Sequence, residues 1–586
     1  MRRLTTTIGL LSTAALTVAL VPSTIAATTA SWPDEEWVNG TVGTSSFDCG
    51  TDTGYASTAF GRFLSGTLLG QDLDGLAALN GVTLDQAADG TLDVDPATAI
   101  DQGSAPPTAT YTNPLNVDLL SGVVGLDLTG LTTGLPLGSA GAVNQYAQVS
   151  GYGSGAGASG LVTDSGGVGI TPTTPDSDLP EPATIALSTF IPAVAGVTDA
   201  QLEVGAVAAS SQLDWCAVLA DEIWGVGPAT GSVRDYGLAG LGLELDSPLV
   251  GGLTGAVTAG LPDIQAAIDS LLGTDGLISD TIGAELEVLL DPLVAAGVTG
   301  DVSLSGLDLA SSVSTLLSTP LTDGVVTIDL TSPDGTVSVD LDELLGYDAN
   351  SLNNLAPNTE LLLNDDVVNA LVTRIGALLD DWVQDVVAAL TAEIREATLT
   401  IDVGVTVSIL NSLDVVEVTL DAVVPLGEVI DGTAEITVDA DALGLGFILN
   451  PLLAGLGLPT VTDLVNLVIA DLALALVDPL MDLVTDVALG AVTTLGATLS
   501  GLVTPIVTAL SGFLDFLPAV VSLQANVQPD QPGGDGVFDP ADPATQSSAQ
   551  YLVTALELEL LAATGLPGGL STLSFGTASV GPITAP

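Results

Sequence analysis

Carboxylates are the only side chains in this sequence that could form a catalytic pair. The chain contains no His and no Lys, so the usual Ser or Cys hydrolase triads and a phosphate loop ending in Lys cannot be built. Zinc sites of His or Cys₄ type are excluded as well, because Cys49 and Cys216 are the only thiols. Two carboxylates can hydrolyse a glycosidic bond. Many Asp pairs exist, but no spacing marks one pair as catalytic.

A sugar cleft would also need aromatic rings. The N-terminal part of the chain holds Trp32, Trp37, Trp215 and Trp224. We interpret these as half-buried structural residues, because Trp commonly buries its ring and keeps one edge in water. A carbohydrate-active hydrolase using paired carboxylates remains the alternative hypothesis.

Calcium is the other chemistry that carboxylates suggest, because oxygen ligands suit Ca²⁺. GGDGVFDPADP at 533–543 places Asp535, Asp539 and Asp542 close together in the sequence. These residues lack the spacing of a known calcium loop and a closing Glu. We therefore expect a solvated acidic linker with no metal site and no cofactor, and keep calcium binding as the alternative.

The charge balance excludes several classes of protein. The chain has 71 acidic residues and six Arg, and its formal net charge is −65. A nucleic-acid-binding protein needs clustered Lys and Arg to neutralise phosphates. An anionic membrane surface would repel this chain. We expect no nucleic-acid partner, and we expect stability to come from apolar burial rather than from salt bridges.

The N-terminus predicts export. MRRLTTTIGLLSTAALTVALVPSTIAA has a basic start, an apolar run at 8–21 and small residues after it, as secretory signal peptides do. Cleavage after Ala26 or Ala30 fits the small residues there. We expect a secreted, extracellular or cell-surface protein, with a retained N-terminal anchor as the alternative.

The two cysteines predict one disulfide. An even pair of Cys in an oxidising compartment usually pairs. A bond between Cys49 and Cys216 would close a very long loop. The alternative is two free, buried thiols.

The part of the chain up to about residue 240 is rich in Gly, Ser and Thr with frequent turn signals, which favours β structure. A short helix is expected within 61–79 and a Pro-rich loop at 171–182. Beyond residue 240, a small polar residue followed by Pro and Leu recurs. A small polar residue can cap a helix and Pro suits its first position, so this pattern indicates a helix start. We predict helix starts at 247–249, 291–293, 450–452 and 478–480.

The clearest helix is predicted at 365–395, capped by Asn364. Its apolar stripe consists of Val368, Leu371, Ile375, Leu378, Trp382, Val386, Leu390 and Ile394. The clearest strands are a hairpin at 325–330 and 336–341, a strictly alternating strand at 397–409, and strands at 433–441, 551–560 and 570–580.

Residues 444–523 are predicted to be helical, with Pro479 dividing the segment and Asp463, Asp471, Asp478, Asp482 and Asp486 on one solvated face. The uncharged run at 487–514 is long enough to cross a membrane. Its acidic flanks, its Pro505 and the absence of Lys or Arg after Arg395 argue against a span. We predict a buried helical pair, and keep a membrane-inserting protein as an alternative.

Together these patterns predict an α+β fold that is β-rich and sandwich-like, multi-domain, with inserted amphipathic helices. The predicted organisation is a signal peptide at 1–30, a β-rich domain at 31–240, a helical segment at 241–298, a β-rich region at 299–443 containing the helix 365–395, a helical segment at 444–527, an acidic Pro/Gly linker at 528–547 and C-terminal strands at 548–586.

An ordered series of short motifs resembles the choice-of-anchor G family of actinobacterial exported surface proteins. The motifs are SWPDEEWVNG (31–40), DCG (48–50), GRFLSGTLLG (61–70), YTNPLNVDLL (111–120), NQYAQV (144–149), ASGLVTDSGG (158–167), LEVGAVAASS (202–211), VSVDLDELLG (337–346), LNNLAPNTELL (352–362) and ASVGP (578–582). The resemblance implies a surface location in a Gram-positive envelope and no particular catalytic activity. The sequence departs from it in having no sorting motif with an apolar tail, since LPGG at 566–569 is not one. We therefore expect release or non-covalent retention.

The resulting expectation is a non-enzymatic, exported envelope protein with a structural or adhesive role. Its partner would be an envelope component or an extracellular ligand.

Overall fold

Strands from the two ends of the chain lie side by side in the computed structural model. The structure describes residues 49–585 except 69–70, 74–79, 116–125, 128–142, 164, 171–181, 190–193, 225–230, 290–293, 347–350, 362–363, 410–412, 443–449, 452–453, 456–459, 535–549 and 561–570. The chain from Cys49 to Pro586 forms one compact unit. The predicted signal peptide with Ala26 and Ala30, the Pro-rich loop except Pro182, Trp32, Trp37 and the candidate calcium ligands lie outside the described residues.

The described strands run in chain order from β1 to β25. They are β1 (Ala56–Leu68), β2 (Gln71–Asp72), β3 (Val82–Gln86), β4 (Leu92–Asp95), β5 (Ile100–Asp101), β6 (Thr108–Thr112), β7 (Leu126–Asp127), β8 (Asn144–Ser150), β9 (Ser154–Gly160), β10 (Ala183–Ala186), β11 (Asp199–Val204), β12 (Val207–Asp214), β13 (Ser232–Leu238), β14 (Leu241–Asp246), β15 (Val294–Ser305), β16 (Leu321–Thr322), β17 (Val326–Asp329), β18 (Thr336–Asp340), β19 (Thr359–Glu360), β20 (Thr398–Ile409), β21 (Leu413–Pro425), β22 (Thr437–Ala442), β23 (Val521–Val527), β24 (Tyr551–Leu560) and β25 (Ser571–Thr584).

The described α-helices are α1 (Trp215–Trp224), α2 (Pro248–Asp269), α3 (Leu277–Leu289), α4 (Leu309–Ser318), α5 (Leu341–Leu344), α6 (Asp365–Glu396), α7 (Leu426–Ile430), α8 (Val461–Val484), α9 (Gly490–Leu514) and α10 (Leu517–Val520). A π-helical turn, Thr485–Leu489, joins α8 to α9.

Four antiparallel sheets account for these strands. Sheet A has the order β19-β23-β24-β25-β1-β3-β4, with β2 beside β1; sheet B is β13-β12-β9-β8-β6-β5; sheet C is β16-β17-β18-β14-β11-β10-β7; sheet D is β15-β20-β21-β22. This mixture of antiparallel sheets and helices confirms the predicted β-rich α+β class. Sheet A combines strands from both ends of the chain, so the N-terminal and C-terminal β segments share one sheet.

Sheets A and B pack face to face at very short range. Glycines in β1 and β9 permit this approach, because a Cβ on Gly157 would lie 2.2 Å from the carbonyl oxygen of Phe60 and one on Gly61 would lie 2.0 Å from that of Ala158. Ser159 Oγ donates a hydrogen bond to the carbonyl oxygen of Thr577 across the same interface, at 2.8 Å. The predicted sandwich therefore exists between these two sheets.

Helix α6 confirms the strongest sequence prediction. The side chain of Asn364 caps it by accepting a hydrogen bond from Val367 N at 3.0 Å. The predicted stripe is buried except at one position, where Leu379 takes the place of Leu378. The indole of Trp382 donates to the carbonyl oxygen of Leu316 on α4, at 3.0 Å. Helix α6 is thus fixed between α4 and α9.

The predicted strands after residue 320 are largely present. Strands β17 and β18 form the predicted hairpin, and β20 matches the alternating strand, with Leu399, Ile401, Val403 and Val405 buried. The strand predicted at 433–441 begins later, as β22. The C-terminal strands are β24 and β25.

Not every local prediction matches the structure. In the segment 61–79, where a short helix was expected, residues 61–68 belong to β1, which pairs with β25 there; 69–70 and 74–79 lie outside the described residues. Of the predicted helix starts, 247–249 begins α2, and Asn450 and Pro451 are helical. The start predicted at 291–293 lies outside the described residues, and the chain that follows is strand β15 from Val294.

Helix α8 continues through Pro479, so the helix start predicted at 478–480 and the division predicted there were wrong. Leu476 and Leu480 are buried, and this burial offsets the backbone hydrogen bond that proline removes. Asp478, Asp482 and Asp486 are exposed, as predicted. The side chains of Asp463 and Asp471 lie outside the described residues.

The uncharged run at 487–514 forms the end of the π turn and the single helix α9. Its buried stripe includes Leu499, Ile506 and Leu510, and exposed Thr residues such as Thr498 and Thr508 return their hydroxyls to carbonyl oxygens one turn back. Among the described residues, Ala475–Leu514 is apolar and long enough to cross a membrane, with 33% of its most apolar window buried. Core helices of soluble proteins meet the same criterion, so membrane insertion stays an alternative prediction.

Candidate binding cleft

A line of irregular residues crosses four neighbouring strands of sheet A. In β23 and β25 these residues are Asn526 and Gly576, whose φ angles of 54° and 66° are left-handed. The faces also fail to alternate in the two other strands: Phe63 and Leu64 are both buried in β1, and 553–556 are all buried in β24. The residues at the matching positions, where the cross-strand pairing is interrupted, are Phe63 and Ala555. We call this line of four residues the crease. Irregular residues at matching positions change the face that each strand presents, as β-bulges do.

Two rows of side chains flank the crease and line a cleft of about 310 Å³. Direct cross-strand pairing joins the members of each row. The first row consists of Arg62, Thr577, Thr554 and Val527, and the second of Ser65, Ser574, Glu557 and Gln524. Phe60 and Leu552 add apolar surface at one end. The crease brings both rows to one side of the sheet.

The segment after β23 forms a wall of the cleft through Pro529 and Gly534. The Asn358 side chain fixes this segment: its Nδ2 donates to the carbonyl oxygens of Gln528, Gln531 and Pro532 at 2.9, 3.2 and 3.1 Å. Its Oδ1 accepts from Gln528 N at 2.7 Å. Residues 528–534 of the predicted acidic linker are therefore folded, and 535–547 lie outside the described residues.

A buried ion pair holds the same wall from the other side. Arg234 and Asp530 form a two-pronged pair, with Arg234 Nη2 and Asp530 Oδ2 2.9 Å apart, and the side chains are only 10% and 8% exposed. Arg234 also donates to the carbonyl oxygen of Leu552 at 3.2 Å and lies over the Tyr551 ring at 5.8 Å. A paired, buried Arg of this kind fixes geometry more than it adds stability.

The cleft is chemically mixed and mainly hydrogen-bonding. The hydroxyl oxygens of Thr554 and Thr577 lie 3.0 Å apart, and Ser574 Oγ donates to Glu557 Oε2 at 3.2 Å. Hydroxyl, amide, guanidinium and carboxylate groups thus converge on one concave surface. Such an arrangement can orient a polar ligand by several simultaneous hydrogen bonds.

The predicted disulfide is present. Cys49 and Cys216 are bonded, with their Cα atoms 5.6 Å apart, and the bond spans 167 positions of the sequence. The Tyr55 hydroxyl oxygen lies 3.0 Å from Cys49 Sγ. Half-buried Trp215 packs in the same cluster, while the side chain of Trp224 lies outside the described residues. The bond ties the entry to β1 to the helix that follows β12.

Two carboxylates on sheet C have perturbed acidity. Burial raises the pKa of Glu203, and burial together with Glu203, Asp246 and Asp199 raises the pKa of Glu244. The two Glu residues lie on neighbouring strands, because Glu203 pairs with Gly242 and Glu244 with Gln201. A neighbouring pair of perturbed carboxylates is the feature that the hydrolase alternative requires. Within the part of the chain that the structure describes, no group of three metal-ligating side chains lies together.

A third carboxylate is buried at the end of sheet C. Asp342 is 4% exposed, and its Oδ1 accepts a hydrogen bond from Leu241 N at 2.9 Å. Burial, followed by the neighbouring Asp340, raises its pKa to about 7. This group belongs to the core and does not line the cleft.

Sequence reasoning did not find the cleft. Arg62, Glu557 and Gln524 are distant in sequence and meet only in the assembled sheet. One local signal was present: Gly576 interrupts a predicted strand, and a glycine inside a strand often marks an irregularity. A second cavity of about 290 Å³ on sheet B is lined by residues that include Gln148, Gln212 and Asp214. Its lining residues adjoin 164 and 225–230, which lie outside the described residues.

The comparisons with known proteins place the cleft within a family domain. A family model described as "Domain of unknown function (DUF8394)" matches residues 59–581. No curated protein and no solved structure matches the chain. The matched span begins in β1 and ends in β25, and it includes both rows of the cleft.

Proposed function

We propose that this chain, which belongs to the DUF8394 family, is an exported, non-enzymatic protein of the cell envelope or cell surface. Its role is structural or adhesive, and its partner is an envelope component or an extracellular ligand. The observation that carries the proposal is the bond between Cys49 and Cys216. Structural disulfides persist in oxidising compartments outside the cytosol.

Three sequence features support the same location and role. The N-terminal 30 residues have the pattern of a secretory signal. The ordered motifs resemble those of choice-of-anchor G surface proteins. The strong negative charge favours solubility outside the cell, and the chain lacks the His and Lys side chains on which most hydrolytic and phosphate-transfer sites depend.

Fractionation of the native producer tests this proposal. An antibody against the mature chain would be used on the cytosol, the culture supernatant, the salt- or chelator-washed wall and the carbonate-extracted membrane. We expect the signal in the supernatant or the wash. A signal that resists carbonate would support membrane insertion through 487–514, and a cytosolic signal would overturn the proposal. As the control, Leu16→Arg should interrupt the apolar run of the signal and retain full-length precursor inside the cell.

A hydrolase using two carboxylates is the second candidate, and the raised pKa values of Glu203 and Glu244 favour it. Purified protein would be incubated with wall glycans, and released sugars measured. Turnover that falls in both Glu203→Gln and Glu244→Gln, but not in an Asp246→Asn control, would support this candidate over the first.

A further inference from the structure

We infer that the cleft along the crease binds a neutral oligosaccharide and does not cleave it. This inference rests on the proposed function, because it specifies what a non-enzymatic surface protein would hold. Its evidence is separate, since it comes from the side chains that line the cleft.

The side chains of the cleft match the chemistry of sugar hydroxyls. Neutral donors and acceptors predominate, and they are supplied by Ser65, Ser574, Thr554, Thr577 and Gln524. A sugar hydroxyl both donates and accepts hydrogen bonds, so such mixed groups suit it. Charged groups strengthen individual hydrogen bonds, and one of each sign, Arg62 and Glu557, lies among the lining residues.

The charge of the chain selects against anionic ligands. With a formal net charge of −65, the protein repels anions at long range. Arg62 and Glu557 are both part of the cleft wall, so its lining has no surplus of positive charge. A neutral ligand avoids the long-range repulsion and still uses both charged groups as hydrogen-bonding partners.

The position of the cleft selects against an extended peptide. A peptide that adds to a sheet pairs with the free backbone of an edge strand. This cleft instead crosses β23, β24, β25 and β1, whose backbones already pair with one another. The floor of the cleft therefore offers a ligand side chains rather than an unpaired strand backbone. Phe60 provides an apolar surface beside the polar rows, as a sugar ring with one apolar face requires.

The carboxylates of the cleft indicate binding rather than hydrolysis. Glycosidases place two carboxyl groups on opposite sides of the scissile bond. Among the described residues that line the cleft, Glu557 is the one carboxylate. Asp530 is nearby in the wall segment, but it is buried against Arg234. Within the part of the chain that the structure describes, no second acid therefore lines the cleft beside Glu557.

The wall of the cleft is organised before any ligand binds. Asn358 fixes the segment 528–532 through its side-chain amide, and the Arg234–Asp530 pair anchors it. Pre-organisation reduces the entropy that binding costs. The volume of about 310 Å³ is at the lower end of the range for ligand pockets, so the cleft fits a short saccharide.

Calorimetry on the purified mature chain tests the inference. The probes are short neutral oligosaccharides of glucose, mannose and galactose, matched oligosaccharides that end in a uronic acid, and a mixture of unstructured peptides. We expect at least one neutral oligosaccharide to bind more tightly than its acidic counterpart and than the peptides, and to be recovered intact by chromatography.

Two pairs of variants locate the binding. Glu557→Gln should weaken binding by about tenfold, whereas Glu559→Gln, two residues further along β24 and outside the cleft, should not. Gln524→Ala should weaken binding, whereas Gln148→Ala in sheet B should not. Circular dichroism and thermal unfolding would verify that each variant is folded.

Four results would overturn the inference: no probe binds, peptides or acidic oligosaccharides are preferred, the sugar is shortened, or the control variants weaken binding as much as the cleft variants. Surface fractionation without sugar binding would reject this inference and leave the proposed function intact. Sugar binding by a protein found in the cytosol would reject the proposed function alone.

Discussion

The buried Asp342 should make the protein less stable as the pH rises through neutrality. Its pKa is raised from 3.8 to about 7, chiefly by burial. The folded state therefore holds this proton more tightly than the unfolded state. The stabilising contribution is complete below about pH 4 and is lost as the pH rises to about 7. At about 1.4 kcal/mol per pKa unit, the full contribution is about 4 kcal/mol at most.

The substitution Asp342→Asn isolates this contribution. Asn keeps an oxygen that can accept from Leu241 N and an amide that can face Asp340, but it does not ionise. Between pH 5 and pH 8 the native protein should lose roughly 3 kcal/mol of unfolding free energy through this group. The variant should not lose it, so at pH 8 the variant should be the more stable protein.

Urea unfolding at several pH values measures this effect. The exposed Asp482→Asn provides the matched control, because it removes the same charge from the solvated face of α8 and leaves Asp342 in place. The reasoning would be refuted if Asp342→Asn showed the same loss of stability between pH 5 and pH 8 as the native protein. A variant less stable than the native protein at pH 8 would refute it equally.

Three further predictions concern the disulfide, the wall of the cleft and the long helix. Replacing both Cys49 and Cys216 with Ser should lower the unfolding free energy by up to about 5 kcal/mol, the chain-entropy value for a loop of 167 positions. Urea unfolding with and without reductant measures this effect. Reductant should cause the same loss in the native protein and should not change the stability of the variant. Arg234→Met should lower the unfolding free energy by about 3–5 kcal/mol, because it leaves Asp530 buried without its partner. The double variant Arg234→Met with Asp530→Leu should recover part of that loss in a double-mutant cycle. Equal losses of unfolding free energy in the single and the double variant would contradict the pairing. Leu379→Ala should lower the unfolding free energy by about 2–5 kcal/mol, and Leu378→Ala should lower it less, as measured by thermal unfolding. A larger loss in Leu378→Ala would mean that the buried face of α6 is not the one described.

Local features of this fold could be predicted because neighbouring residues determine them. The spacing of apolar residues and the cap at Asn364 are enough to define α6. The hairpin of β17 and β18 depends on a short turn between two alternating segments. Leu378 and Leu379 show the limit of this reasoning, because both lie near the apolar stripe and only packing against other elements decides which is buried.

The sequence by itself determined the negative charge, the exclusion of His- and Lys-based chemistry, the amphipathic helix and the single possible disulfide pairing. Only the tertiary structure decided that β1 pairs with β25, that Pro479 lies within a continuous helix, and that Arg62 shares a cleft with Glu557. The first and third outcomes depend on contacts between residues hundreds of positions apart, and the second depends on the packing of α8 against other elements. Alternation shows that a strand has a buried face, but not which strand lies beside it, so a cleft assembled across four strands is defined only when the sheet is complete.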